Sequence, residues 1–254
     1  RDRSYTGMIE NTQDFTEDAG NEKTEFKRAY VEGKIGGLDL TAGRYGAFFA
    51  NGNVYDAQAD GAQLSYGDKV KVSAFAGKGT DDWTVGTTAG NYAGGEISAA
   101  LGENFSLNGG YVNFKDMGWD ESEFDNAIWY VGAEANFGDF ALTGMYLKGD
   151  MSYNDHDVEG IDDDGYTVGL SYKGAQADEV GSYGIWANYY DQGGQTYVAH
   201  TTDANTFNNK GFKGYGVGAN YTFAKNIVGT VAYYDTESKL DYPCLLYTSD
   251  AADE

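Results

Sequence analysis

The amino-acid sequence predicts an all-β protein, an antiparallel up-and-down meander curled as a transmembrane β-barrel. Three observations carry that expectation. Strand-like runs recur along the chain, and their connections alternate between tight turns and long loops. Within each run, apolar side chains keep to one parity and polar ones to the other. Aromatic rings then cluster at two heights of the apolar faces, beside the turns and beside the loops, as in strands that cross a bilayer.

The stretch Asn126 to Lys148 shows the pattern most plainly. Trp129, Val131, Ala133, Ala135 and Phe137 share one face, and Gly138-Asp139 supplies a two-residue turn with glycine first. Phe140, Leu142, Gly144 and Tyr146 continue that face across the turn, so Phe137/Phe140 and Trp129/Tyr146 mark its two ends. In chain order the strands are expected at 3–11, 24–36, 38–47, 58–66, 69–78, 91–101, 105–115, 126–137, 140–149, 165–174, 181–191, 211–223 and 227–239. That is about thirteen strands of a larger, even-numbered barrel of about sixteen. Tight turns follow at Gly36-Gly37, Gly67 to Lys69, Gly102 to Asn104, Gly138-Asp139 and Ala224 to Asn226, with a looser one at Ala175 to Val180. Long connections lie between them at 12–23, 48–57, 79–90, 116–125, 150–164 and 192–210. A barrel this wide is too large for side chains to fill, so the apolar parity faces lipid and the polar parity faces a water-filled lumen. Trp129, Phe137, Phe140, Tyr146, Phe223 and Tyr233 are expected in the aromatic girdles.

Composition agrees. The 254 residues include 37 Gly, 22 Tyr, 13 Phe and a single Pro, with a formal net charge of −23. No apolar run approaches the roughly 20 residues of a spanning helix, and aromatic residues are too frequent for disorder. The acidic balance argues against a nucleic-acid partner, whose phosphates need a basic surface. The chain is expected to be a piece of a longer protein, because it starts inside a strand-like run with neither initiator Met nor signal segment. Residues 1–243 read as a partial barrel. Residues 244–254, CLLYTSDAADE, break the pattern directly after the single Pro and read as a translated sequencing adapter. The single Cys belongs to that tail, so no thiol chemistry is expected of the barrel.

Enzymatic motifs are weak. His156 and His200 both fall in loops without a nucleophile or metal-spaced companion. Gly214-Tyr215-Gly216-Val217-Gly218 alternates within a strand and precedes no helix, so it is not a phosphate loop. No cofactor is implied. Acidic residues crowd the long loops, notably Asp155, Asp157, Glu159 and Asp162 to Asp164, and would lower the potential at one mouth. Their oxygens also suit Ca²⁺, but the spacing does not match the EF-hand pattern, and solvated acids are the plainer reading. The segment from Gly43 to Gly61 is too apolar for a loop in open water, with Phe48, Phe49, Val54 and Tyr55. It is expected to turn into the lumen and narrow it, with Asp56 or Asp60 across from the basic Arg28, Lys34, Lys69 and Lys71, and Arg44, Glu96 and Glu134 are further pore-lining candidates. Strict alternation points Arg44 outward, so this requires a bulge near Gly43.

The pattern GR…NVYD…DG…SYGDKVKVS, with YVGAEANFGDFALTGMYLKG and KNIVGTVAYYD, resembles the barrel of outer-membrane porins that carry an N-terminal S-layer homology domain. The resemblance covers roughly residues 1–242. It implies a water-filled channel for ions and small hydrophilic solutes in the outer membrane of a diderm bacterium, surrounded by outer-membrane lipid. It also implies a homotrimer, tethered to the cell wall through an upstream domain absent from this chain. A second function stays open, that of an envelope anchor or adhesin with a plugged lumen. The polar lumen favours the channel, and inward aromatic side chains such as Trp186 or Phe75 favour the plug.

Overall fold

The computed structural model describes residues 3–13, 22–79, 90–118, 124–154, 156–202 and 210–240. They form one antiparallel sheet. Its strands are β1 (Arg3–Gln13), β2 (Glu22–Ile35), β3 (Leu38–Phe49), β4 (Tyr55–Tyr66), β5 (Val70–Gly79), β6 (Asn91–Ala100) and β7 (Phe105–Met117). They continue as β8 (Phe124–Phe137), β9 (Phe140–Tyr153), β10 (His156–Asp157), β11 (Asp164–Lys173), β12 (Tyr183–Gln192), β13 (Phe212–Ala224) and β14 (Ile227–Ser238). Each strand pairs with the next, except that the two-residue β10 caps β9 and β9 pairs onward with β11. This is the up-and-down meander that the alternation of turns and loops predicts. The positions of the strands agree with the sequence reading to within a few residues, but β9 runs on to Tyr153 and pairs with β10, which the sequence reading left inside the loop 150–164. β3 and β4 run on to Phe49 and back from Tyr55, so the expected loop 48–57 shrinks to Ala50 to Val54.

Local chemistry explains the turns and the faces. Gly138 adopts a left-handed φ of 63°, which lets Phe137 and Phe140 pair across a two-residue connection. Apolar residues on the predicted lipid-facing parity are exposed throughout: Val31, Val72, Ile97, Trp129, Val131, Leu142, Val168, Ile185, Val217 and Val231 among them. An exterior so apolar would aggregate in water, and in a bilayer it is the correct surface.

The opposite face curves into a concave wall. Large aromatic side chains lie on it across glycines of neighbouring strands. Phe75 on β5 sits 2.8 Å from the position a Cβ on Gly94 would take, and Tyr92 on β6 covers Gly61 and Gly77 at 2.8 and 2.7 Å. Trp186 lies against Gly218 in the same way. The segment Gly214 to Gly218, rejected as a phosphate loop, is thus part of β13 and opens room for a ring. Substituting Gly94 by Ala should clash with both Phe75 and the Tyr111 carbonyl. We expect a destabilisation of about 1–3 kcal/mol, read as a lower midpoint of denaturant unfolding in detergent micelles.

Candidate functional site

The β3–β4 connection turns into the concavity. A 3-10 turn at Ala50–Gly52 carries Ala50 and Asn51 at left-handed φ values of 55° and 54°, and it leaves Ala50, Val54 and Tyr55 fully buried. Phe49 anchors it, stacked on Phe75 with ring centroids 4.1 Å apart and planes 13° from parallel. From that anchor the tip crosses the lumen. Asn53 Nδ2 reaches Met145 Sδ on β9 at 3.7 Å, and Gln192 Nε2 on β12 donates to the Asn53 carbonyl at 3.2 Å.

A second segment meets it from the far wall. Residues 193–199, after β12, are all buried. The amides of Val198 and Ala199 donate to the Val54 carbonyl at 2.9 and 3.1 Å, and Asp56 N donates to the Ala199 carbonyl at 2.7 Å. Tyr55 and Ala199 form a parallel bridge. The stretch of β4 beyond its pairing with β5 thus finds a partner across the barrel. Gln195 holds the base of this segment: its Oε1 accepts from Met151 N at 2.8 Å and its Nε2 donates to the Ile161 carbonyl at 2.9 Å. The two segments together make a crossbar on the loop side of the lumen.

His200 latches the crossbar. Its Nδ1 accepts from the Thr202 amide at 2.9 Å, so Nε2 carries the proton and donates to Gln192 Oε1 at 2.7 Å. The rings of Tyr190, Tyr197 and Phe212 stand edge-on around it at 5.3 to 5.9 Å. Burial among those rings pulls the imidazole down to about 3, from an ordinary 6.5.

The predicted constriction residues divide into two sets. Lys34, Lys71, Glu96 and Glu134 stand on the inward parity. Lys34 pairs with Asp39 at 2.8 Å, Glu96 accepts from the Tyr130 hydroxyl at 2.8 Å, and Glu134 accepts from Asn136 at 3.1 Å. Arg44 and Asp60 do not line the lumen. They face each other across β3 and β4 on the outward parity and form a two-pronged ion pair at 2.7 and 2.6 Å. Gly43 has a φ of 124°, yet the β3–β4 register runs through it without a bulge, so alternation prevails. Arg28 also reaches the outer side, 3.5 Å from the Cβ position of the outward Gly46. Asp56 accepts from the Thr201 hydroxyl at 2.6 Å and serves the crossbar, and Lys69 belongs to the exposed turn before β5.

Trp129, Phe137, Phe140, Tyr146, Phe223 and Tyr233 are all exposed, between 47% and 65%. Three of the described loop acids take lysines near strand ends: Asp125 with Lys115, Asp163 with Lys148 and Asp162 with Lys239, at 2.6 to 3.1 Å. Asp162 and Asp163 thus point to different partners, and among the described residues no three acids or histidines gather as a metal site. The adapter-like residues 244–254, and the acids at 14–18, 81–82, 120–123 and 155, lie outside the described residues.

An apolar exterior, a meander of antiparallel strands and a lumen crossed by inserted segments define the outer-membrane β-barrel. Solved structures agree. The fold is similar to OmpT of Vibrio cholerae, an outer membrane protein described in a trimer form, at a TM-score of 0.60 and 17% identity over 93% of this chain and 76% of that one. It is also similar to an anion-selective porin from Comamonas acidovorans, at 0.56 and 17% identity over 85% and 69%. No family profile and no curated protein matches the sequence.

The buried imidazole has a pH consequence. A pKa of about 3 in the fold against 6.5 in its absence means the unfolded state binds the extra proton, so the latch is intact above 6.5 and weakens as pH falls toward 3. We expect a loss of about 1.4 kcal/mol per pH unit within that window. Hydrogen exchange at the Val198 and Ala199 amides, corrected for intrinsic rate, should accelerate below pH 6, and His200→Gln should flatten the response.

Proposed function

We propose that the chain forms the barrel of an outer-membrane channel for passive diffusion of ions and small hydrophilic solutes. One observation carries the reading. The inward parity is polar on the turn side, with Lys34, Asp39, Lys71, Glu96 and Glu134, while the crossbar occupies only the loop side. A wide aqueous vestibule leading to a narrowing is the geometry of a diffusion pore. On that wall Lys34, Glu96 and Glu134 are held by Asp39, Tyr130 and Asn136 rather than poised on a nucleophile, which favours transport over catalysis. The barrel sits in the outer membrane of a diderm bacterium with its apolar face against lipid. Complete, it has about sixteen strands. Trimer assembly has the trimeric form of the Vibrio cholerae protein behind it, and a cell-wall tether through an upstream S-layer homology domain rests on the sequence resemblance.

The anchor or adhesin reading has a specific observation in its favour. The crossbar and the rings of Phe49, Phe75 and Tyr92 fill one end of the lumen with apolar matter. Conductance in planar bilayers decides between the two. The channel reading expects discrete open steps from the full-length protein, and their absence from a correctly inserted barrel would refute it. Deleting Asn51 to Asn53 should raise the open-state conductance by at least about twofold, since the crossbar is the narrowing. Lys71→Gln removes a lumenal charge and should move the low-salt reversal potential toward cations. Salt at 1 M should blunt that shift, as the Debye length falls to about 3 Å.

A further inference from the structure

Beneath the crossbar the inner wall holds a cavity of about 170 Å³. Asn51 and Asn53 form its roof, and Thr143, Thr167, Asn188 and Tyr190 form its wall. None of the lining residues carries a formal charge, although the chain has 40 acidic and 17 basic residues. The composition of the chain does not predict so neutral a lining. Gly169 shapes the floor. Asn188 Oδ1 and Thr143 Oγ1 each lie 2.6 Å from where its Cβ would be, so the missing side chain lets an amide and a hydroxyl lean together over the backbone. Among the described residues, the side chains of Asn51, Thr167 and Asn188 make no hydrogen bond to protein. They are donors and acceptors available to a guest. Met145 and Tyr190 add apolar surface to the same space.

We propose that this cavity is a binding site for a neutral, polyhydroxylated solute of monosaccharide size. The inference deepens the channel reading and rests on it. An inorganic ion passing here finds no countercharge to hold it, and a zwitterion would have two charges left without partners. A sugar has what the lining lacks: several hydroxyls, each able to donate and accept, around a partly apolar ring. Amides engage paired hydroxyls from both edges, and water leaving the site is replaced by bonds of similar strength. Net gain per bond is small, so residence is brief, as a site on a diffusion path requires.

The test uses the full-length protein in planar bilayers, with glucose as the probe and arginine as the charged control. Millimolar glucose should add blocking noise to the open current, and arginine at equal concentration should not. Thr167→Val is nearly isosteric and Asn188→Leu removes the amide. Each should raise the half-blocking glucose concentration roughly fivefold, the worth of one neutral hydrogen bond. Lys225→Gln, in the exposed turn between β13 and β14, should leave it unchanged. A conducting channel indifferent to glucose, or equally sensitive in both cavity variants, overturns the site while leaving the channel. An inserted barrel without conductance overturns the channel reading instead. Calorimetric titration of glucose into the folded protein then decides the site alone: heat that Thr167→Val weakens supports it, and no heat refutes it.

Discussion

A peptide group in hydrocarbon has no water to bond with, and the rest of this structure follows from that constraint. Each strand must give its N–H and C=O groups to neighbours, which the meander does on both sides for the strands between β1 and β14 on its path, while β1 and β14 pair on one side among the described residues. Of the three interruptions of the ladder, those at Phe114/Met117 and Thr222/Ala224 fall at strand ends, near water or loops, and the one at Met8/Ile9 falls within β1 at the edge of the sheet. With the ladder imposed, side chains alternate between lipid and lumen, and the chemistry of each face is set by its solvent.

The hydrophobic effect operates only where water is the alternative. Val131 or Ile185 on the outer face gains little from contact with neighbours, since lipid is as apolar as they are. Inside the barrel water is present, and there apolar side chains do collapse. Phe49, Tyr55, Tyr92, Phe114, Ile128 and Leu147 are buried together on the loop side of the lumen, around the inserted segments. Glycines make that collapse compatible with a thin wall. A ring from one strand lies over the bare backbone of the next, as Phe75 does over Gly94 and Tyr130 over Gly110.

Polar groups settle the position of the crossbar. The tip of the β3–β4 hairpin leaves backbone groups at Val54 and Asp56 that β5 does not reach, and the segment at 198–199 supplies the missing partners. Gln192 connects the two segments through the Asn53 carbonyl and His200. A buried arrangement of this kind holds only if its members are satisfied, which ties the narrowing to the neutral state of one imidazole.

The strands, their faces and the turns were legible in the sequence because period two and turn chemistry are local. Phe137-Gly138-Asp139-Phe140 specifies its hairpin without reference to the rest of the chain. The inward turn of residues around Phe49 to Tyr55 was legible as well, from apolar side chains in what is nominally a loop. Its length was not, because pairing with residues 198–199 lies about 140 positions away. The second half of the crossbar left one trace in the sequence: Gln192 to Thr202 carries no charge, in a chain whose other long loops are acidic. The sequence reading also set Arg44 and Asp60 in the lumen, where opposite charges across water would build a field. The sheet register instead places them side by side on the outer face, because β3 and β4 pair through Gly43 without a bulge and alternation therefore holds, and there they form a direct two-pronged bond. Local alternation determined which residues form the wall, and only the curvature of the sheet decided which distant segments meet inside it.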